Sequence, residues 1–324
     1  MPLQIGYLVD GSDFIPATDD PFAGNALGDQ LRNDLLAQKQ LTEAMERAGM
    51  AGIVLTPISG SGEMIQLMRS GDLHVVLATA MVYGRFLQIA VNNPVPFTYE
   101  PILQSRRPGD IGQGRGRGVL RRGVVIMGPA SALFSRPKYA PADLRQALAN
   151  SPLAVPSLDS AAGYLFPILT LSSQYGASRP RLWFCGSDTD VVAHVVSGLA
   201  PFGACREGAL AGTLAPLTKN GATSDSLRRH CRVLFQTAPF PTDPILIRDD
   251  FLPSLTDVGR ELKPALREFF NEKQRLDRDL RVEDAVPRDY EKIQRALEQS
   301  GIAPHASTQP TTGTRVRPVL PMRR

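Results

Sequence analysis

The chain has 324 residues, 43% of them hydrophobic and 21% charged, which is the composition of a globular protein and excludes an intrinsically disordered one. Its length suffices for two hydrophobic cores. The formal net charge of +4 permits an anionic ligand, whereas an aromatic content of 6% does not indicate a nucleic-acid-binding surface. No apolar run is long enough to cross a bilayer, so we expect no membrane span.

The first third of the chain alternates predicted strands with predicted helices, which indicates a parallel sheet. Strands are predicted at 3–9, 53–55 and 73–78. One helix is predicted at 31–48, and a second is capped by 59–62, runs through 64–68 and stops at 70–71. Ligands of open α/β sheets bind beyond the carboxyl ends of the strands, so polar residues at these ends are candidate ligand-binding residues. These candidates are Asp10, Ser12, Ser61 and Thr79.

A glycine- and arginine-rich loop at 112–118 lies between two predicted strands, 99–104 and 119–127. It could be an arm that contacts RNA or phosphate. The alternative is a solvated hairpin tip. We favour the hairpin tip because the run is short and contains no interleaved aromatic residues. No helix opens after these glycines, so they do not form a dinucleotide-binding fingerprint.

The most informative stretch follows a predicted helix at 141–148. An apolar strand at 153–155 leads into small and polar residues at 157–163, and a helix at 164–171 comes next. Such a turn leaves backbone N–H groups unpaired at the positive end of the helix dipole, where anions bind. The candidate contacts are Ser160, Ala161, Ala162 and Gly163. The alternative is an ordinary turn capped by Asp159 or Ser160.

The rest of the chain repeats the alternation of strands and helices. Ser187 and Asp188 precede a helix at 191–197, and Asp188 is a helix cap or a ligand contact. The remaining predicted strands are 182–185, 202–205, 232–235 and 245–247, with closing helices at 262–270 and 289–300. We therefore predict a discontinuous lobe of residues 1–135 and 238–300, a second lobe of 136–237, and a disordered tail at 301–324.

These lobes suggest an α/β protein in which each lobe is a mainly parallel sheet flanked by helices. Two crossings of the chain would form a hinge, and the cleft between the lobes would hold the ligand. The three cysteines, Cys185, Cys205 and Cys231, show no zinc-ligand spacing, and the histidines are scattered. We expect reduced thiols, no metal and no cofactor.

Five motifs together resemble the phosphate/phosphite/phosphonate solute-binding proteins of ABC importers, which have the type 2 periplasmic-binding fold. The most specific are Gly-Tyr-Leu-Phe-Pro at 163–167 and Pro-x-Asp-Pro-Ile at 241–245. The others lie at 71–83, 99–103 and 184–204, and the likeness extends from about residue 3 to 302. The resemblance implies that Tyr83 is a pocket tyrosine; the alternative is that it packs between helix and sheet.

Several residues depart from the pattern of that family. Its turn usually reads Ser-Thr-Ser-Gly, but here only Ser160 keeps a hydroxyl, and Asp188 stands where the family usually has His. Acids expected elsewhere are replaced by His74 and Pro201. Each lost hydrogen bond to a charged group is worth roughly 1.5–3 kcal/mol. We therefore predict that simple phosphonates bind weakly and that an amine or hydroxyl of the ligand faces Asp188.

The resemblance implies a monomeric, non-enzymatic protein that closes on a small anionic ligand for the permease subunits of an ABC importer. That ligand would be a phosphonate- or phosphate-like oxyanion or a phosphorylated metabolite. It also implies a periplasmic location, although no signal peptide precedes the first strand, which would fit the cytoplasm. The alternative is a cytoplasmic enzyme or sensor module on the same fold, but no nucleophile–base pair is recognisable.

Overall fold

The computed structural model describes residues 1–9, 13–14, 23–107, 110–112, 119–177, 180–218, 230–273 and 279–301. The chain forms two compact units, one of Met1–Leu120 with Phe240–Glu298 and one of Arg121–Pro239. The first boundary between the units lies before the strand Gly123–Met127, because this strand pairs with strands of the second unit. The boundary therefore comes earlier in the chain than the one predicted from the sequence, at residue 135. The predicted tail at 302–324 lies outside the described residues.

The first unit contains a six-stranded sheet of order β14-β4-β13-β3-β1-β2. Its strands are β1 (Leu3–Leu8), β2 (Ile53–Ile58), β3 (Val75–Leu77), β4 (Tyr99–Arg106), β13 (Pro244–Arg248) and β14 (Arg281–Asp284). Three short strands, β5 (Ile111–Gly112), β6 (Val119–Arg121) and β12 (Phe240–Pro241), form a separate sheet of order β12-β6-β5.

Helices of the first unit cover its sheet. They are α1 (Ala23–Ala37), α2 (Lys39–Arg47), α3 (Ser61–Ser70), α4 (Ala80–Asn92), α9 (Asp257–Glu268) and α10 (Glu291–Ser300). The helix predicted at 31–48 is two helices, because Gln38 takes an extended conformation between α1 and α2. The helix α4 was not predicted, although Thr79 caps it at the end of β3.

The second unit contains a five-stranded sheet of order β11-β7-β10-β8-β9. Its strands are β7 (Gly123–Met127), β8 (Pro152–Val155), β9 (Arg181–Phe184), β10 (Phe202–Arg206) and β11 (Arg232–Gln236), and its helices are α5 (Pro141–Asn150), α6 (Phe166–Tyr175), α7 (Asp188–Val196) and α8 (Glu207–Thr218). Leu153 and Val155 of β8 pack on one face and Ala154 on the other, which explains why this strand is apolar throughout.

The expected α/β fold is confirmed, but both sheets are mixed rather than mainly parallel. In the first unit β1 is parallel to β2 and β3, whereas β13 is antiparallel to β3 and β4. In the second unit β8 is parallel to β9 and β10, whereas β7 is antiparallel to β10 and β11. The antiparallel strands β7 and β13 each follow a point where the chain changes units, so no crossover helix sets their direction.

All three cysteines are free thiols in hydrophobic surroundings. Burial raises the pKa of Cys185 and of Cys231 to about 12, and it raises the pKa of Cys205 well above its usual value. Within the described ranges, no helix combines the length and the apolar character that a membrane crossing requires.

Candidate functional site

The predicted anion-binding turn joins β8 to α6 in the second unit. Ser160 is the N-cap of a single π-helical turn, Ala161–Leu165, which continues into α6. Its side-chain Oγ accepts a hydrogen bond from the backbone N–H of Gly163 at 2.8 Å. Its carbonyl oxygen accepts from the N–H groups of Tyr164 and Leu165, at 3.0 and 3.1 Å. The turn is therefore a capped helix start, which was the alternative in the sequence analysis, and Ser160 rather than Asp159 is the cap.

Two backbone donors of this turn remain available. Among the residues that the structure describes, none accepts a hydrogen bond from the backbone N–H of Ala161 or Ala162. Both residues are buried, and both N–H groups belong to the first helical turn, where the helix dipole concentrates partial positive charge. The turn thus offers two amide donors and one serine hydroxyl to an oxyanion.

Close packing against the sheet holds the turn in place. A side chain at Gly163 would put its Cβ 2.4 Å from the Cγ and Cδ atoms of Pro156 and 3.1 Å from the carbonyl oxygen of Ala204 in β10. A Cβ at Gly123 of β7 would lie 2.2 Å from the carbonyl oxygen of Ala162. The backbone can approach the two strands this closely because both positions are glycine.

Ser187 and Asp188 lie at the carboxyl end of β9, next to β8 and on the same edge of the sheet as the Ser160 turn. The Ser187 Oγ accepts from the N–H of Asp190 at 3.1 Å and donates to its carboxylate at 2.8 Å, so Ser187 is the cap of α7. The Oδ1 of Asp188 accepts from the backbone N–H of Arg206 at 2.9 Å. Asp188 therefore ties α7 to the end of β10 instead of capping the helix.

The candidate residues of the first unit are mostly buried in it. Thr79 accepts from the N–H of Val82 at 3.1 Å as the cap of α4, and Ser61 is the buried first residue of α3. The hydroxyl of Tyr83 donates to the carbonyl oxygen of Tyr99 at 2.9 Å, and burial raises the pKa of Tyr83 far above its ordinary value. This geometry favours the alternative of a core tyrosine. Asp10 and Ser12 lie outside the described residues.

A buried carboxylate that the sequence analysis did not single out lies at the amino end of α4. Oδ1 of Asp243 accepts from the N–H of Ala80 at 3.0 Å, and Oδ2 accepts from the N–H of Asp13 at 2.9 Å. The carboxylate of Asp13 accepts in turn from the hydroxyl of Ser105 at 2.6 Å and pairs with Arg107 at 3.4 Å. Asp243 belongs to the Pro-x-Asp-Pro-Ile motif, and this motif was the feature of the sequence that could have identified it.

His74, where the family pattern has an acid, is a structural residue. Its Nδ1 accepts from the backbone N–H of Gln4 at 2.8 Å, and its ring packs against Phe251. Burial, and then the nearby charge of Arg248, lower the pKa of His74 to about 4, so the ring is neutral at pH 7. Within the described parts of the chain, no group of His, Cys, Asp or Glu side chains could hold a metal ion.

Comparison with known proteins identifies the family. Residues 33–300 match the family model described as the ABC transporter, phosphonate, periplasmic substrate-binding protein. The chain belongs to this family. It is thus a phosphonate-type solute-binding protein of an ABC transporter, and the family consists of substrate-binding proteins rather than enzymes. A search of curated proteins finds no match.

Solved structures with little sequence identity share the fold. XAC2383 from Xanthomonas citri, solved with bound ATP, is 15% identical over 92% of this chain and 98% of its own, with a TM-score of 0.58. PhnD1 from Prochlorococcus marinus, solved with methylphosphonate, is 17% identical over the same shares, with a TM-score of 0.54. A phosphonate-transporter binding protein from Pseudomonas aeruginosa is 14% identical over 92% and 89%, with a TM-score of 0.52.

Proposed function

We propose that the ligand's phosphonate group binds at the turn formed by Ser160, Ala161, Ala162 and Gly163. The observation that carries this proposal is the pair of available backbone N–H groups at Ala161 and Ala162, next to a serine hydroxyl. Because the Ser160 oxygen already accepts from Gly163, its own hydrogen is free to point at a ligand oxygen. Hydrogen bonds to an ionised acceptor are stronger than neutral ones, so these three donors favour an oxyanion as the ligand group.

Asp188 and Ser187 are the polar side chains next to this turn. The carboxylate of Asp188 is partly exposed and bonds one backbone N–H through Oδ1. A negative charge there repels a second anionic group and attracts an amine or a hydroxyl. We therefore propose a ligand that carries one oxyanion and one hydrogen-bond donor, and weak binding of plain alkylphosphonates.

Calorimetric titration distinguishes these ligand classes. The panel comprises methylphosphonate, an aminoalkylphosphonate, inorganic phosphate and ATP, since related folds have been solved with methylphosphonate and with ATP. We expect the aminoalkylphosphonate to bind at least about tenfold more tightly than methylphosphonate, because a hydrogen bond to a charged group is worth about 1.5–3 kcal/mol. Sub-micromolar binding of methylphosphonate would contradict the predicted role of Asp188.

The variant Ser160→Ala tests the turn itself, with Thr256→Ala as a matched control. Thr256 caps α9 in the same way, accepting from the N–H of Gly259 at 3.0 Å. Each substitution removes a helix cap and should cost about 1 kcal/mol of stability. Only Ser160→Ala should also weaken binding of the preferred ligand, by about tenfold or more. Equal affinity in the two variants would refute the role of Ser160.

We further propose that the protein works in the periplasm as a monomer and passes its ligand to the permease subunits of an ABC importer. Family membership supports this assignment. Cell fractionation with an antibody against the natural protein should recover it in the periplasmic fraction. Recovery in the cytoplasm alone would favour a different role for the same fold.

A further inference from the structure

Thr237, just beyond the end of β11, is a buried residue that is tied to the start of β7. Its Oγ1 accepts a hydrogen bond from the backbone N–H of Gly123 at 3.0 Å and donates one to the carbonyl oxygen of Ala238 at 3.0 Å. Its own backbone N–H donates to the carbonyl oxygen of Gly123 at 2.9 Å. Thr237 is only 4% exposed, and buried polar groups need such partners. The side chain and backbone of Thr237 therefore fix the position of Gly123, the first residue of β7.

The topology of the sheet brings this pair to the edge that carries the Ser160 turn. The strands β8 and β10 are parallel, whereas β7 is antiparallel to both β10 and β11. The amino end of β7 and the carboxyl end of β11 therefore lie at the same edge as the carboxyl ends of β8 and β10. Gly123 and Thr237 stand at those two ends, and the Ser160 turn follows β8.

Gly123 is in close contact with the turn on one side and with Thr237 on the other. A Cβ at Gly123 would lie 2.2 Å from the carbonyl oxygen of Ala162 and 3.3 Å from the Cγ2 atom of Thr237. Ala162 also carries one of the two backbone N–H groups that we propose as donors to the oxyanion. Because the carbonyl group and this N–H belong to one residue, a displacement of Gly123 would let the N–H change direction.

We infer that Thr237 is a positioning residue, which holds Gly123 against Ala162 and so keeps the amides of Ala161 and Ala162 aimed at one point. Binding groups need to be held to within about 0.5 Å of the productive geometry, and buried hydrogen bonds behind them provide that support. Thr237 acts through Gly123 and does not contact the ligand. The inference deepens the proposed function and rests on it for the location of the oxyanion.

Three substitutions separate this role from a general contribution to stability. Thr237→Val keeps the shape of the side chain but leaves the N–H of Gly123 without its side-chain acceptor, whereas Thr237→Ser keeps the hydroxyl. Ser131→Ala is the matched control. Ser131 is 7% exposed, and its Oγ accepts from the backbone N–H of Leu133 at 3.3 Å. It follows the carboxyl end of β7, at the opposite edge of the same sheet.

Hydrogen exchange of the ligand-free protein, measured by NMR, reports on the turn without any assumption about its ligand. The N–H of Gly163 is bonded to the Ser160 Oγ inside the turn. We expect it to exchange about tenfold faster in Thr237→Val, because local opening becomes easier when the support is lost. Thr237→Ser and Ser131→Ala should leave its exchange within about twofold of the unmodified chain. Unchanged exchange in Thr237→Val would overturn the inference.

Calorimetric titration with aminomethylphosphonate then tests the effect on binding. Thr237→Val should bind it about tenfold more weakly, whereas Thr237→Ser and Ser131→Ala should stay within about twofold of the unmodified chain. Full affinity in Thr237→Val, together with a loss in Ser160→Ala, would overturn the inference and leave the proposed turn standing. Full affinity in Ser160→Ala would instead refute the turn, and the exchange measurement would still decide whether Thr237 holds it.

Thr237→Ala covers the case in which Thr237→Val does not fold. The smaller side chain leaves space for a water molecule at the N–H of Gly123, so this variant should be less destabilised. A water molecule does not fix the strand end as the threonine does. We therefore expect about threefold faster exchange at Gly163 and about threefold weaker binding. Effects no larger than those of Ser131→Ala would overturn the inference.

Discussion

The starts of α4 and of the helical segment after β8 are two versions of one local structure. Thr79 and Ser160 are both N-caps, and each accepts from the amide three residues later, at 3.1 and 2.8 Å. They differ in what reaches the first amides. At α4 the carboxylate of Asp243 is bonded to Ala80, whereas among the described residues no acceptor reaches Ala161 or Ala162.

A capped helix start is therefore not in itself an anion site. A hydroxyl residue after a strand predicts the cap correctly in both places. The decisive residue at α4 lies 163 positions away in the sequence, so local patterns carry no information about it. Whether a helix start can bind a ligand depends on which distant side chain the fold brings to it.

Filling the close contact that holds the Ser160 turn should destabilise the protein more than any other substitution considered below. In Gly163→Val, the new side chain would overlap the Pro156 ring, which lies 2.4 Å from a Cβ at this position. We expect a loss of about 3 kcal/mol of unfolding free energy, measured by urea denaturation, because a packed site cannot absorb extra atoms.

Gly212→Ala serves as the control for that substitution, since nothing lies within 4 Å of a Cβ there. In the middle of α8 it should be neutral or stabilising by up to about 1 kcal/mol. A mild effect of Gly163→Val would mean that the turn is not tightly held. The comparison between the start of α4 and the Ser160 turn would then no longer be valid.

Acid should weaken the first unit through His74. The pKa of His74 is lowered to about 4 in the folded chain, whereas an unfolded histidine titrates near pH 6.5. Between these values the unfolded chain binds a proton that the folded chain does not, so stability falls as the pH decreases from about 6.5 to 4. We expect a loss on the order of 2 kcal/mol, measured by urea denaturation at several pH values.

His74→Asn should flatten this pH dependence, because its amide oxygen can accept from Gln4 without titrating. His230→Asn, at an exposed position, should leave the dependence unchanged. If the unmodified chain and His74→Asn lose stability in parallel, another group is responsible.

Thr79→Ala tests whether the cap of α4 affects stability only, unlike the cap at Ser160. Removal of its hydroxyl leaves the N–H of Val82 without the cap and should cost about 1 kcal/mol, as measured by thermal unfolding. Ligand affinity should stay the same, in contrast to Ser160→Ala, because α4 does not hold the oxyanion. A tenfold loss of affinity in Thr79→Ala would make the two helix starts functionally equivalent.

The smallest effect is expected for Tyr83→Phe. This change deletes the hydrogen bond to the carbonyl oxygen of Tyr99 inside the core and should cost about 1 kcal/mol or less. Calorimetry should find unchanged ligand affinity, as expected for a tyrosine that packs between helix and sheet. Weaker binding would restore Tyr83 as a residue of the ligand pocket.

The sequence predicted elements whose signals are local. The apolar run of β8 and the small residues after it indicated a strand, a turn and a helix in the right order. Ser160 was placed correctly at the helix start because capping depends on residues three positions apart. The family motifs added the overall fold, which no single segment could reveal.

Features that depend on distant partners were missed. The antiparallel pairing of β13 with β3 joins segments far apart in the sequence, and neither strand encodes the direction of the other. The helix α4 buries its first seven residues, 80–86, one after another, so this stretch does not alternate between a buried and an exposed face. Tyr83 matched a family position, but its burial follows from packing against Tyr290, which comes from the other end of the chain.

The raised pKa values of the three cysteines bear on where this protein can function. Thiol–disulfide exchange requires the thiolate, and a thiol with a pKa of about 12, such as Cys185 or Cys231, is almost entirely protonated at neutral pH. Cys205 is fully buried as well. In the folded chain, burial therefore slows thiol–disulfide exchange at these cysteines, since little thiolate is present at neutral pH.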